Sequence, residues 1–246
     1  MITFKRNYNR MFLKDVRKAI DDYGMIKEKD RVAVGLSGGK DSIALLYILA
    51  LLKKYSIIDF ELCGINIDLG FGMDLTLLEN FCSENGIKFI VEKTNIGEVV
   101  FEDRMEKNPC SLCSKLRKGA LFRVAKAYGY NKVALGHSSD DAIETFFMNM
   151  LCVGKLGTFN PCIEFEERGI TAIRPMVYVK EETIKKLVSM ESLPVIETLC
   201  PAAGKTKRQD MKELLAYIEA LYPDVHRKVI TAFQNMDSEN IWKQRK

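Results

Sequence analysis

Six consecutive residues, Ser37, Gly38, Gly39, Lys40, Asp41 and Ser42, set two hydroxyls, an ammonium and a carboxylate on a glycine turn. The turn joins the apolar run Val32 to Leu36 to the apolar segment Ile43 to Leu46. A strand that turns through glycines into a helix is suited to holding phosphate. Without Cβ atoms in the way, backbone N–H groups converge on an anion, and the helix start adds unpaired donors and a favourable dipole. Lys40 supplies a point charge, and Ser37 and Ser42 supply hydroxyl donors. This is not a Walker A loop, which needs four residues between its first glycine and the Gly-Lys-Ser/Thr end. Asp41 would repel phosphate unless a cation stood between them, so magnesium is expected beside the nucleotide.

Cys110 and Cys113 enclose two residues, a spacing that serves chelation or a thioredoxin-like redox pair. There is no second pair of this kind, so local spacing offers no four-cysteine zinc finger. Cys200, in the loop from Thr198 to Gly204, could close a three-thiolate site. Such a site can hold an iron–sulfur cluster with one iron open to an outside ligand, or zinc with one further group. The seven cysteines are odd in number and do not read as a disulfide framework in a chain of this size. Several of them are expected to be small buried hydrophobes.

A third constellation is Gly136-His137-Ser138-Ser139-Asp140-Asp141, at the end of a short apolar strand. Its serines and Asp140 suit a helix cap. Asp140 and Asp141 could also bind magnesium or orient an attacking group, and Glu144 falls on a similar helical face. Lys115, Arg117, Lys118 and Arg123 follow the paired cysteines, while Lys205, Lys207 and Arg208 follow Cys200. Each run is either a solvated face or a grip on an RNA backbone around an exposed base. Arg174 beside Pro175 is an anion contact or a salt-bridge partner.

The elements that must position these groups alternate. Helices are expected at Phe12 to Tyr23, Leu75 to Glu84, Cys113 to Tyr128, Asp140 to Leu151, Glu181 to Met190, about Thr206 to Leu221, and Val225 to Phe233. Strands are expected at Phe60 to Ile67, Ile87 to Val91 and Lys132 to Leu135, with a late one at Ile170 to Met176. Gly154 to Gly169 reads as irregular. The alternation predicts an α/β fold with a mostly parallel sheet flanked by helices. Ligands gather beyond the carboxyl ends of such strands, which would bring together the loop at Ser37, the turn from Asp68 to Gly72, and Gly136 to Asp141.

The chain of 246 residues is 47% apolar and 28% charged, with a formal net charge of +4 from 37 basic and 33 acidic side chains. That sum points only weakly to a polyanionic partner. No run of about 18 apolar residues occurs, and no apolar signal core follows the basic N-terminal residues, so a cytoplasmic protein without a membrane segment is expected. Without an internal repeat or low-complexity tract, residues 1–246 read as one domain with a short N-terminal helix and a C-terminal helical portion.

Together, the Ser37 to Ser42 loop, Cys110-Ser111-Leu112-Cys113, Gly136 to Asp141 and the single downstream Cys200 resemble the TtcA-type tRNA 2-thiocytidine synthetases of the PP-loop ATP pyrophosphatase superfamily. The resemblance spans about Phe12 to Phe233. It implies an adenine-nucleotide alpha-hydrolase-like fold, ATP and Mg2+, and adenylation of the C2 oxygen of a tRNA cytidine followed by its replacement with sulfur. It also implies a [4Fe-4S] cluster on Cys110, Cys113 and Cys200. Ser37, Gly38, Gly39, Asp41 and Ser42 match the pyrophosphate grip, and Lys40 matches the loop's usual variable residue. Asp68, Gly136 and His137 are assigned to the nucleotide site, with Asp41 and Asp141 as metal-facing or activating carboxylates. Ser138 stands where the family's Gly-His-His-x-Asp-Asp motif has its second histidine. Implied partners are tRNA, a sulfur-donor protein or inorganic sulfide, and a second copy in a homodimer. The alternative is a PP-loop sulfurtransferase or adenylating enzyme acting on another RNA base or a small molecule.

Overall fold

In the computed structural model, which describes residues 2–55, 58–104, 109–197, 199–202 and 207–235, strands and helices alternate along the chain. The order is α1 (Lys14–Asp22), β1 (Arg31–Gly35), α2 (Lys40–Tyr55), β2 (Glu61–Asp68), α3 (Thr76–Glu84), β3 (Lys88–Lys93) and the short α4 (Ile96–Glu98). Then come α5 (Pro109–Ala127), β4 (Lys132–Ala134), α6 (Ser139–Met148), β5 (Cys162–Phe165), β6 (Ile170–Ile173), α7 (Glu181–Met190), α8 (Lys207–Leu221) and α9 (Val225–Gln234). The chain divides into two compact units, Met1–Ser138 with Asn160–Lys205, and Ser139–Phe159 with Thr206–Lys246. Thr198, Ala203, Gly204, the basic Lys205 and the expected helix start at Thr206 lie outside the described residues.

The first unit holds a six-stranded sheet ordered β3-β2-β1-β4-β6-β5. All its pairings are parallel except β5 with β6. β1 pairs with β2 on one side and β4 on the other, so the strand order reverses at β1. At such a switch point the connections after neighbouring strands leave toward opposite faces and open a crevice. The loop after β1 is the Ser37 loop.

Side chains alternate across the sheet. Ala33 of β1 and Cys63, Ile65 and Ile67 of β2 join Leu121, Phe122, Val124 and Ala125 of α5 in one apolar layer. On the other face, Leu36 lies over Gly64, where a Cβ would stand 2.5 Å from Leu36 Cδ1. α2 is apolar nearly all round, buried from Ser42 to Leu49 and again at Leu51 and Leu52, because strands cover it on one side and α7 on another. That burial fixes its first turn, which carries Lys40, Asp41 and Ser42.

Two local differences from the sequence pattern matter for the site. α5 begins at Pro109, four residues before the expected start, so Cys110 and Cys113 occupy its first turns. Proline suits that position because a first-turn N–H has no helical partner to lose. The stretch expected to be irregular contains β5, a short antiparallel edge strand. In the second unit, α6 packs against α8 and α9. Among the described residues no helix is long and apolar enough to cross a membrane.

Candidate functional site

The Ser37 loop is held by its own hydroxyls. Ser42 Oγ accepts from the Ser37 backbone N–H at 3.2 Å and donates to Gly39 O at 2.9 Å, and the two serine hydroxyls lie 3.2 Å apart. Gly38 has φ +85, a conformation open to glycine at little cost, and its carbonyl accepts from Ile196 N–H at 2.9 Å. The segment leading toward Cys200 is therefore tied to the phosphate loop by a backbone bond.

Lys40 Nζ lies 2.8 Å from Asp41 Oδ2 and 3.0 Å from Glu181 Oε1, at the start of α7. Burial pulls its pKa down, but hydrogen bonds to both carboxylates outweigh that and leave it above the ordinary lysine value. Glu181 is a site residue that sequence reasoning missed. It is remote in the chain, and an acidic residue in a first helical turn looks like ordinary dipole compensation.

Gly136 meets this loop from β4. A Cβ there would stand 2.9 Å from the Asp41 carbonyl carbon and oxygen and 3.1 Å from Ser42 N. The structure thus joins Gly136 to Asp41 and Ser42 as the strand order predicts, and the His137 backbone N–H donates to Leu135 O at 2.9 Å. Asp68 ends β2 on the same edge of the sheet. Its carboxylate accepts from Gly70 N–H at 2.9 Å, and its carbonyl accepts from the Thr94 N–H at 2.9 Å and hydroxyl at 2.7 Å. Asp68 therefore shapes the turn. Asn66, also missed in sequence, is 1% exposed and donates to Leu36 O at 2.7 Å, fixing the residue before the loop. Arg174 is buried at the end of β6 and donates to Asn160 O at 2.7 Å, and burial pulls its pKa below the usual arginine range.

The three candidate thiolates share one neighbourhood. Burial pushes the Cys113 thiol up, nearby Arg117 opposes that, and Cys200 and Cys110 each push it further up by their own charge. Cys110 is exposed and Cys113 and Cys200 are half-buried. Among the described residues no three His, Cys, Asp or Glu side chains converge as on a single metal ion, and no two cysteines form a disulfide. Cys63 and Cys82 are packed thiols, which burial pushes up to about 11 and about 12.

In the second unit the acidic pair opens α6. Arg208 donates to Asp141 Oδ1 at 2.6 Å and stands 3.6 Å from Glu144 Oε2, with Lys212 3.8 Å from Glu144 Oε1. His226 Nε2 lies 3.2 Å from Ser139 Oγ and 3.4 Å from Asp140 Oδ2. Arg208 thus neutralises carboxylates of α6, and Arg123, likewise a candidate RNA contact, pairs with Glu92 at 2.7 Å. His226 was missed because only the packing of α9 brings it to α6.

Comparison with known proteins adds to this geometry. Residues 3–212 match the family model described as a PP-loop domain. The tRNA-cytidine(32) 2-sulfurtransferase of Citrifermentans bemidjiense is 38% identical over 230 residues, covering 92% of this chain and 90% of that protein. The protein of the same name from Methylococcus capsulatus is 42% identical over 224 residues, covering 89% of this chain and 77% of that one. Among solved structures, the U34-tRNA thiolase NcsA from Methanococcus maripaludis with its [4Fe-4S] cluster aligns with a TM-score of 0.77 at 23% identity, over 97% of this chain and 81% of that chain. The NH3-dependent NAD synthetase of Campylobacter jejuni aligns with a TM-score of 0.51 at 14% identity, over 98% and 99%. Both likenesses are of fold.

Proposed function

Because the chain belongs to the PP-loop family and, within it, to the tRNA-cytidine(32) 2-sulfurtransferases, we propose that it uses ATP to replace the C2 oxygen of a tRNA cytidine with sulfur through an adenylated intermediate. The observation that supports this reading is the close approach of Gly136 to Asp41 and Ser42, which sets the end of β4 against the start of the helix that carries the glycine loop.

A pyrimidine carbonyl oxygen is a poor leaving group. Transfer of AMP onto it releases pyrophosphate and makes the departing group AMP, whose charge is already stabilised. In this chain the N–H groups of Gly38 and Gly39 with the hydroxyls of Ser37 and Ser42 would hold the pyrophosphate. Glu181 would keep Lys40 extended beside them. Asp41 would hold Mg2+, which screens its charge from the phosphates. Gly136 and His137, which follow β4, would line the nucleotide site, and Asp141 would take a metal-holding or activating role. The target base must leave its stack before reaction.

Cys110, Cys113 and Cys200 would hold the [4Fe-4S] cluster. Three thiolates on one zinc must crowd within about 2.3 Å of it, whereas on a cubane each takes its own iron. Cys110 and Cys113, three residues apart in the first turns of α5, and Cys200, whose charge is felt at Cys113, supply three thiolates for that arrangement. When bound, such a group supplies an open iron that can carry sulfur to the activated carbon. The tRNA recipient, a donor that is a carrier protein or inorganic sulfide, a homodimeric assembly and action in the cytoplasm belong to the same proposal.

Nucleoside mass spectrometry of tRNA from a deletion strain tests it. Loss of 2-thiocytidine, restored by the intact gene, is expected; an unchanged level would sink the RNA assignment.

A further inference from the structure

We infer that an exposed basic ridge formed by Lys115, Lys118, Lys126 and Arg168 is the surface on which this chain seats the sugar–phosphate backbone of its RNA substrate. The inference rests on the tRNA reading above and adds to it where the RNA lies.

Along α5, Lys115, Lys118, Phe122 and Lys126 follow spacings of three and four residues, which keeps them on one stripe about 80° wide at 3.6 residues per turn. The stripe starts two residues after Cys113 and runs about 16 Å along the helix. Its three lysines are exposed, and Phe122 turns inward at 1% exposure to meet Phe165 of β5, with ring centroids 5.1 Å apart. Lys118 Nζ sits over both rings, 5.3 Å from the Phe165 centroid and 5.9 Å from that of Phe122. The guanidinium of Arg168, from the turn between β5 and β6, lies 5.9 Å from the Phe122 centroid. Lys126 reaches the next residue of that turn, Gly169, where a Cβ would collide with its ammonium.

Aromatic faces orient cations without spending their charge. A ring attracts an ammonium or guanidinium through its quadrupole, yet leaves the N–H donors and the full positive charge available to an anion. Arg123 of the same helix, by contrast, spends its charge on Glu92. The neighbouring hairpin carries Glu164, Glu166 and Glu167. Among the described residues none of them stands within ion-pair distance of the four ridge cations. Lys118 and Arg168, placed by the rings, Lys126, placed at the β5–β6 turn, and the exposed Lys115 line the outer face of α5, about 150° round the helix from Cys110 and Cys113. Such a run of cations suits a polyanion that lies along the helix whose first turns carry the thiols. An RNA backbone has that charge and that linear repeat, and it releases counterions when it is bound.

The test uses the full chain, purified anaerobically, and an unmodified tRNA transcript with cytidine at position 32. Its affinity is followed by fluorescence anisotropy between about 50 and 200 mM salt. Lys118→Ala, Lys126→Ala and Arg168→Ala should each flatten the slope of log K against log salt by about 0.7 to 1, and the triple variant by about 2 to 3. Lys118→Arg should restore most of the lost slope. ATP affinity and the cluster's absorption spectrum should stay as in the parent chain. If the parent binds tRNA and the triple variant binds with the same slope, the ridge is not the RNA surface. Unchanged tRNA binding with lost affinity for an acidic carrier protein would also overturn the inference. A parent chain that binds no tRNA at all would instead bring down the underlying function.

Discussion

The backbone of Gly136 lies so close to Asp41 that a methyl group on Gly136 would stand 2.9 Å from the Asp41 carbonyl carbon. Two segments about a hundred residues apart thus meet main chain to main chain at the switch point of the sheet. Neither has a flexible side-chain tip that could yield. Gly136→Ala should therefore cost about 1–3 kcal/mol, as overpacking does. Calorimetry should show a lowered Tm together with weakened ATP affinity; a variant that unfolds and binds ATP as the parent does would mean that this contact does not shape the site.

Gly38→Ala should strain the loop rather than the core. At φ +85 an added Cβ costs about 1–2 kcal/mol, and here it would also press on Ile196 Cβ at 3.2 Å. The expected outcome is a chain that folds but shows a raised KM for ATP in pyrophosphate exchange. A KM equal to that of the parent chain would contradict the loop's role.

Much of this was legible in the sequence because it depends on local pattern. The glycine turn between two apolar runs announced β1, the loop and α2, and alternating elements announced a parallel sheet with its sites on one edge. What escaped was set by long-range partners or by weak local signals. Glu181 and His226 gained their importance only when helices packed, and Arg208, marked in the sequence as a possible RNA contact, proved to pair with Asp141. β5 has only four residues, half-exposed apart from exposed Glu164, so neither alternation nor a continuous apolar run marked it. The early start of α5 carried a signal in Pro109, whose fixed φ suits a first helical turn.

Glu191 makes stability depend on acid. Burial raises its pKa, but hydrogen bonds from Lys5, Tyr8 and Tyr47 outweigh that and hold it below the ordinary value of 4.5. A carboxyl lowered on folding contributes fully above its unfolded value, and the contribution fades as pH falls through the lower folded value. Urea unfolding from pH 7 down to about 3 should show this loss in the parent chain. Glu191→Gln should be less stable at pH 7 and show a shallower acid slope; an identical slope would remove Glu191 from the account.

Cys200→Ala should empty the cluster without unfolding the chain, because its side chain is half-buried and lies in a loop. Iron and sulfide analysis after anaerobic purification should find about four irons per parent chain and little in the variant. One zinc and no sulfide in the parent would defeat the cluster assignment.

The most direct test of the central claim is an anaerobic reaction of the full chain with unmodified tRNA transcript, ATP, Mg2+ and sulfide, following nucleotide products and modified nucleosides together. The account predicts AMP and pyrophosphate formed in step with 2-thiocytidine, and loss of all three in Asp41→Asn. ATP turned over to ADP and phosphate, or AMP released with no sulfur entering the RNA, would contradict it.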